Sequence, residues 1–410
     1  MRDAPDHAPL APPAAQAPLS SALIAFFIAL TLYLITAVAL DHLENPGLAY
    51  FDRLAASFLA GRLDLPHPEP LSDLTFHNGR WYVPFPPLPA LLMLPFVALF
   101  GGVRVVPFSI CLAAIAVAAT LACIRTLQRD RRLPGDARSA HLAAISLAGG
   151  VLWYCCVDGQ VWFLGQVCAI AMFALAAWAA SAGRNWSSGL FLALALCGRP
   201  HVLLGLPLLL TLPPGNHPNR QPLRTLPRRA LPTLLPCVVA IAALGAYNHA
   251  RFNSPLDAGY LRQEINPILR ADLSTHGQFS THFLPRNLWL MTIKPPAITL
   301  NPPRIHPDFI GIGMLWTLPA IALLLPSPRW MRYAVARAAA LAAFLISIPL
   351  LLYYNGGWAQ FGYRFSLDFL VPLTICLTAA FAHAPPFIAR ALVGAGLIVN
   401  AWGVYCWFTR

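Results

Sequence analysis

Apolar stretches of about 17 to 25 residues, the length that crosses a ~30 Å hydrocarbon core as a helix, recur along the whole 410-residue chain. No other feature constrains the fold as tightly. Backbone inside hydrocarbon must satisfy its own hydrogen bonds, and an uninterrupted helix does so. The expected fold class is an all-α polytopic membrane protein. Only 11% of the residues are charged and mean hydropathy is +0.60, which leaves no room for a sizeable soluble domain between the spans. Candidate spans are 20–40, 103–125, 140–157, 161–182, 187–198, 200–213, 231–247, 309–326, 337–354, 368–385 and 390–408, with 88–101 as the ambiguous member.

Charge distribution orients these segments. The net charge of +12 comes almost wholly from arginine, since Lys294 is the single lysine, and the cations are scattered over short loops. That pattern excludes a nucleic-acid stripe and matches membrane topology. Arginine-rich loops should share the cytoplasmic side, and four stand out: Arg125 to Arg138, Arg184, Arg220 to Arg229, and Arg329 to Arg337. If the first span runs outward, 125–138 is inside only when 88–101 does not cross. That segment is short and carries Pro95, so a re-entrant or interfacial helix is expected. The same parity gives about 11 transmembrane helices, a cytoplasmic N-terminus and an outside C-terminus. It also places all 16 acidic residues except Asp3, Asp6, Asp130 and Asp136 on the outer face. Carboxylates contribute little to orientation, so their asymmetry points to function there.

The Pro/Ala-rich residues 1–19 read as a disordered cytoplasmic N-terminus. The run after them is longer than a signal h-region, so it is expected to remain as the first span despite its Ala37-Val38-Ala39 triplet. Residues 20–410 then form a single transmembrane domain with outer loops 41–102, 248–308 and 355–367. All nine cysteines fall in or beside apolar segments and read as small hydrophobes.

The outer loops hold the residues able to do chemistry. Residues 48–60 carry an apolar helical stripe with Asp52 and Arg53 off it, an amphipathic helix for the outer membrane surface that brings Asp41, Glu44 and Asp52 near the headgroup plane. In "TFHNGRWYV", alternation around Asn78-Gly79 predicts a type I′ hairpin; Asp73 stands before it, and His77 and Arg80 flank the turn. Arg364 and Asp368 are spaced i,i+4 at the outer end of a span, where they would share a helix face and pair, beside Tyr363. A guanidinium there suits a lipid-linked phosphate, whose oxygens it binds bidentately. Arg199 interrupts an apolar region at a helix break, and Lys294 precedes Pro295-Pro296. For each of these a plain structural role, such as a cap, an ion pair or a solvated face, competes with the functional one. The chain has no Walker A, HExxH, GxSxG or GxGxxG motif, and no carboxylate and His run at metal-ligand spacing.

In order along the chain, an acidic outer loop after the first span, "HNGRWYVPFPPLPALLMLPFVALFG", "GRPHVLLGLP", "AYNHARFNSPLDAGY" and "QFGYRFSLDFLVPL" resemble the GT-C superfamily of membrane glycosyltransferases, the group of the protein O-mannosyltransferases and aminoarabinose transferases. The resemblance implies a GT-C-like fold and a polyprenyl-phosphate-sugar donor. It also implies a glycan, lipid or protein acceptor on the extracytoplasmic face of a bacterial inner membrane, and inversion at the anomeric carbon. An outer-loop carboxylate would act as general base while a cation neutralises the departing phosphate. Many members carry an Asp-Glu pair shortly before the tyrosine of the first surface helix, whereas here Asp41 and Glu44 stand apart ahead of Tyr50. The order of candidates for the base is therefore Asp52, Asp73, then Asp41 and Glu44. Arg364, Arg199 and Lys294 are the candidates for the donor phosphate, with Asp368, Tyr363, His77 and Arg80 in support. No cofactor is implied beyond an optional divalent cation. Membrane lipids are expected partners and nucleic acid is not. The competing functions are a transporter or flippase, and a non-catalytic subunit that binds lipid-linked glycans.

Overall fold

Each long apolar run becomes helix. The computed structural model describes residues 18–213, 226–300, 303–325 and 328–409, so residues 1–17, Arg220 and Arg224 lie outside the described residues. The elements are α1 (Pro18–Ala39), α2 (Phe51–Leu59), β1 (Thr75–His77), β2 (Arg80–Tyr82), α3 (Leu88–Phe100), α4 (Val105–Arg129), α5 (Ala137–Ala148), α6 (Val151–Asp158), α7 (Val161–Ser181), α8 (Asn185–Leu196), α9 (Leu206–Thr211) and α10 (Leu226–Phe252). There follow α11 (Pro267–His276), α12 (Leu284–Thr292), β3 (Ala297–Leu300), β4 (Pro303–His306), α13 (Met314–Thr317), α14 (Ala334–Leu352), α15 (Leu367–His383) and α16 (Pro386–Phe408).

Among the described residues, seven helices are long and apolar enough to cross a membrane, or eight when α5 and α6, bent by 42° at Gly149-Gly150, count as one. These match eight of the expected spans. The other three differ in form: 187–198 is the 12-residue α8, 200–213 is a 3₁₀ turn followed by the six-residue α9, and 309–326 is the four-residue α13 with a 3₁₀ turn. Proline explains two of these breaks, because Pro200 and Pro319 each open a 3₁₀ turn and cannot continue a preceding helix. α4 and α7 lie at the centre of the bundle, largely buried, whereas α1 and α10 present most of their apolar surface outward.

The bundle has two chemically distinct ends. At one, Arg132 donates to the carbonyls of Thr211 and Leu212, Tyr333 stacks on His383, and Trp330 donates to Leu324 O. The loops that hold Arg132 and Arg329 to Arg337 therefore lie at that end, where Gly135 also approaches Ala382. At the other, Val161 N donates to Leu48 O, Trp407 donates to Asp158, and Ile312 N donates to Phe361 O.

α3 starts and finishes at this second end. Leu88 N donates to Cys197 O, while Asn45 donates to Val103 O and caps α4 by accepting from Val105 N at 2.7 Å. Both flanks of this 13-residue helix are thus tied to the same end of the bundle.

The hairpin also forms as the sequence predicts. Asn78 (φ 50°) and Gly79 (φ 74°) are both left-handed, the requirement of a type I′ turn, and His77 pairs with Arg80. α2 buries Phe51, Leu54, Ala55 and Ser57 and turns Asp52 and Arg53 away from that face.

Candidate active site

Between α7, α15 and the first outer loop lies a small enclosed cavity of about 50 Å³ into which Asp73, Arg199 and Arg364 all open, with Trp162, Tyr260 and Phe365 among its walls. On one side it meets a cavity of about 780 Å³ that shares Asp73, Trp162, Asn355 and Arg364 and reaches the surface past Ser72, Trp81 and Glu264. On the other it meets a groove of about 250 Å³ that shares Pro86, Arg199, Tyr260 and Tyr353. This groove runs between Leu244 and Tyr247 of α10 and Pro349 and Leu350 of α14, and its surface is mainly apolar. The three spaces thus share walls, and Asp73, Arg199 and Arg364 stand in those walls.

Asp73 is placed by its backbone. Its φ of 64° is left-handed, a conformation that Asp tolerates better than most side chains. Asp73 N donates to Glu264 O at 2.7 Å, and Gln263 Nε2 donates to the Asp73 carboxylate at 2.9 Å. Tyr50, at the start of α2, reaches under the loop and donates to Ser72 O at 2.7 Å and Pro70 O at 3.0 Å. Burial pushes the Asp73 carboxyl up to about 6, against the opposing pull of Arg364 and of a hydrogen bond from the Trp162 indole.

The two arginines are held differently. Arg199 binds the Asp368 carboxylate through Nε and Nη2, the latter at 2.6 Å, which leaves Nη1 for a ligand. Asp368 is fully buried and also meets His201 Nε2 at 2.9 Å. Arg364 donates to Gln166 Oε1 at 3.1 Å and, among the described residues, has no carboxylate in contact and no partner for its buried Nε. The Phe365 ring lies against both guanidiniums, 5.3 Å from Arg199 and 4.6 Å from Arg364.

The expected Arg364–Asp368 pair is therefore corrected. Residues 364–366 form a 3₁₀ turn and α15 begins at Leu367, so the two side chains do not stack one helical turn apart; Asp368 faces Arg199 instead.

The remaining candidates sit elsewhere. Asp41 and Glu44 are exposed beyond the end of α1. Asp52 lies outside all three spaces; one oxygen is 3.5 Å from Asn45 Nδ2, the other is buried without a partner, and burial raises its pKa. Lys294 pairs with Asp308 at 2.7 Å across the base of the β3–β4 hairpin. His77 packs edge-on against Phe252, and Arg80 lies on an outer groove. Tyr363 is buried at the root of the Arg364 turn. The prolines that precede 88–101, Pro84, Pro86 and Pro87, line the apolar groove. Among the described residues no group of three His, Cys, Asp or Glu side chains is placed to hold a metal ion.

Gln166, His201 and Gln263, which hold Arg364, Asp368 and Asp73 in turn, escape sequence reasoning. Gln166 is a lone polar residue inside an apolar span and gave a signal that could have been read.

No known protein family and no curated protein matches the chain. Three solved structures resemble it. ArnT from Cupriavidus metallidurans bound to undecaprenyl phosphate is 13% identical at a TM-score of 0.48, over 92% of this chain and 61% of that one. The Archaeoglobus fulgidus oligosaccharyltransferase in the apo form is 14% identical at 0.44, over 93% and 56%. The same organism's oligosaccharyltransferase AglB, in complex with an inhibitory peptide and a dolichol-phosphate, is 12% identical at 0.45, over 96% and 57%. The chain spans about three-fifths of their length.

Proposed function

We propose that this chain is an integral membrane glycosyltransferase that moves a sugar from a polyprenyl-phosphate carrier to an extracytoplasmic acceptor with inversion. One observation carries the reading: a carboxylate and two guanidiniums line one cavity that shares walls with a surface-open cavity on one side and with a mainly apolar groove on the other. A lipid-linked phosphate needs that combination, because its isoprenoid tail belongs in the groove and its charge belongs against arginine.

In this reading Asp73 is the general base. It accepts the proton of the acceptor hydroxyl as that oxygen attacks the anomeric carbon from the face opposite the phosphate. The bond from the anomeric carbon to the phosphate oxygen breaks, and the departing lipid phosphate gains a negative charge that Arg364 and Arg199 offset. A pKa near 6 leaves Asp73 mostly ionised at neutral pH and still basic enough to accept a proton.

The arginine-rich end is the cytoplasmic one, which puts the site on the outer face of a bacterial inner membrane. The three shorter apolar elements complete eleven crossings, the α8–α9 pair reaching from the arginine-rich end to Arg199 and back.

Purified protein, a radiolabelled polyprenyl-phosphate sugar and extracted cell envelope test the chemistry. Transfer that disappears with Asp73→Asn supports it, and full transfer by that variant removes Asp73 as base. Orientation is read by single cysteines in place of Leu256 and Asp130, in a background without the nine native thiols. Labelling of position 130 from outside would overturn it.

A further inference from the structure

A second polar groove lies beyond the reaction cavity, between the 61–69 segment and the hairpin strand β2, with a volume of about 910 Å³, at the upper part of the ~300–1,000 Å³ usual for ligand sites. Trp81 lines this groove and the outer reaction cavity alike, so the two spaces share a wall.

We infer that this groove binds a neutral glycan and presents one end of it to Asp73. The inference rests on the transferase reading only in the direction of that end.

The chemistry of the lining selects the ligand class. Arg62 and Arg80 both approach the buried carboxylate of Asp64, at 2.6 and 3.9 Å, while their own side chains stay about half or more exposed at 48% and 65%. Each guanidinium therefore has an anchor on one side and unspent N–H donors on the other. Glu69 adds an exposed acceptor on the rim, and Arg53 fixes it in place by donating to the Glu69 backbone carbonyl at 2.7 Å. Two arginines against two carboxylates leave the formal charge of the lining at zero. A phosphate-rich headgroup would need a surplus of cations. A polyhydroxylated ligand instead needs donors and acceptors side by side, with an aromatic surface for its apolar face, and the half-buried Trp81 supplies that ring.

The groove is also built rather than left over. Leu65 N donates to Trp81 O at 2.8 Å, tying the 61–69 segment to β2, and the type I′ turn at Asn78-Gly79 delivers Arg80 directly after it.

The test uses the full-length protein in detergent on an array of neutral and anionic glycans, alongside Arg80→Ala, Glu69→Gln and the double variant. Binding to neutral glycans that weakens about tenfold in the single variants and more in the double one, equivalent to about 1.4 kcal/mol per contact, is the expected result. Retention confined to anionic glycans, retention that the substitutions leave unchanged, or no retention at all would each overturn the inference. Retention of undecaprenyl phosphate by the same preparations reports the Arg364 and Arg199 cavity separately, so failure of the glycan groove and failure of donor binding are read independently. Circular dichroism of the variants identifies any loss of fold.

Discussion

The two ends of the bundle both carry charge, but they use it in opposite ways. At the arginine-rich end the cations lie in short loops and mostly face outward: Arg129 is about half exposed and pairs with its neighbour Asp130. At the other end carboxylates and guanidiniums are buried together, and Asp368, Arg199, His201, Gln166 and Arg364 occupy fixed positions around one cavity. Charge that sets orientation needs only number and side, whereas charge in the proposed reaction needs geometry, and the buried, bonded set at the second end has it.

Substitutions at the two ends should therefore differ by orders of magnitude. The largest effect is expected for Asp73→Asn, with kcat for sugar transfer falling about 10³-fold while undecaprenyl phosphate is still retained. Because burial raises the Asp73 pKa, its ionised form costs the folded state stability as pH rises from the ordinary carboxylate range through about 6. The same variant should therefore melt at an unchanged or higher temperature at pH 7, and a large fall in Tm would recast Asp73 as structural.

Arg364→Gln should cost about 10²-fold, chiefly as lost retention of lipid phosphate in a filter-binding assay. For the wild type, kcat/KM should fall about tenfold per pH unit below about 6, as protonation of Asp73 removes the base, and Asp73→Asn should flatten that limb. At the opposite end Arg129→Ala should change transfer by less than about twofold, as for an exposed ion pair. An effect there as large as that of Arg364→Gln would erase the distinction between the ends.

Much of the architecture was legible in the sequence because its cause is local or additive. Hydrophobic length gave the seven long apolar helices and the bent α5–α6 pair, the short run with Pro95 gave the short α3, and Asn78-Gly79 gave the hairpin. The site was legible only in kind. Arg199 and Arg364 stood out because charge near apolar sequence is conspicuous, yet Arg199 meets Asp368 across 169 positions of chain, and no spacing rule reports such a contact. The i,i+4 rule paired Asp368 with Arg364 because it assumes a continuous helix, and a single 3₁₀ turn removes that assumption. Asp52 and Asp73 could not be separated for the same reason: their difference is which of them a remote Gln263 and Trp162 surround.

The left-handed backbone at Asp73 has a consequence for descent as well as for catalysis. Asparagine and glycine are the replacements that this conformation admits most easily, and neither can take up a proton; glutamate keeps the carboxylate but suits the conformation less well. If Asp73 is the base, as proposed, the substitutions that the fold tolerates best at this position are the ones that end turnover, and the residue at position 73 would separate active from inactive relatives of the same fold.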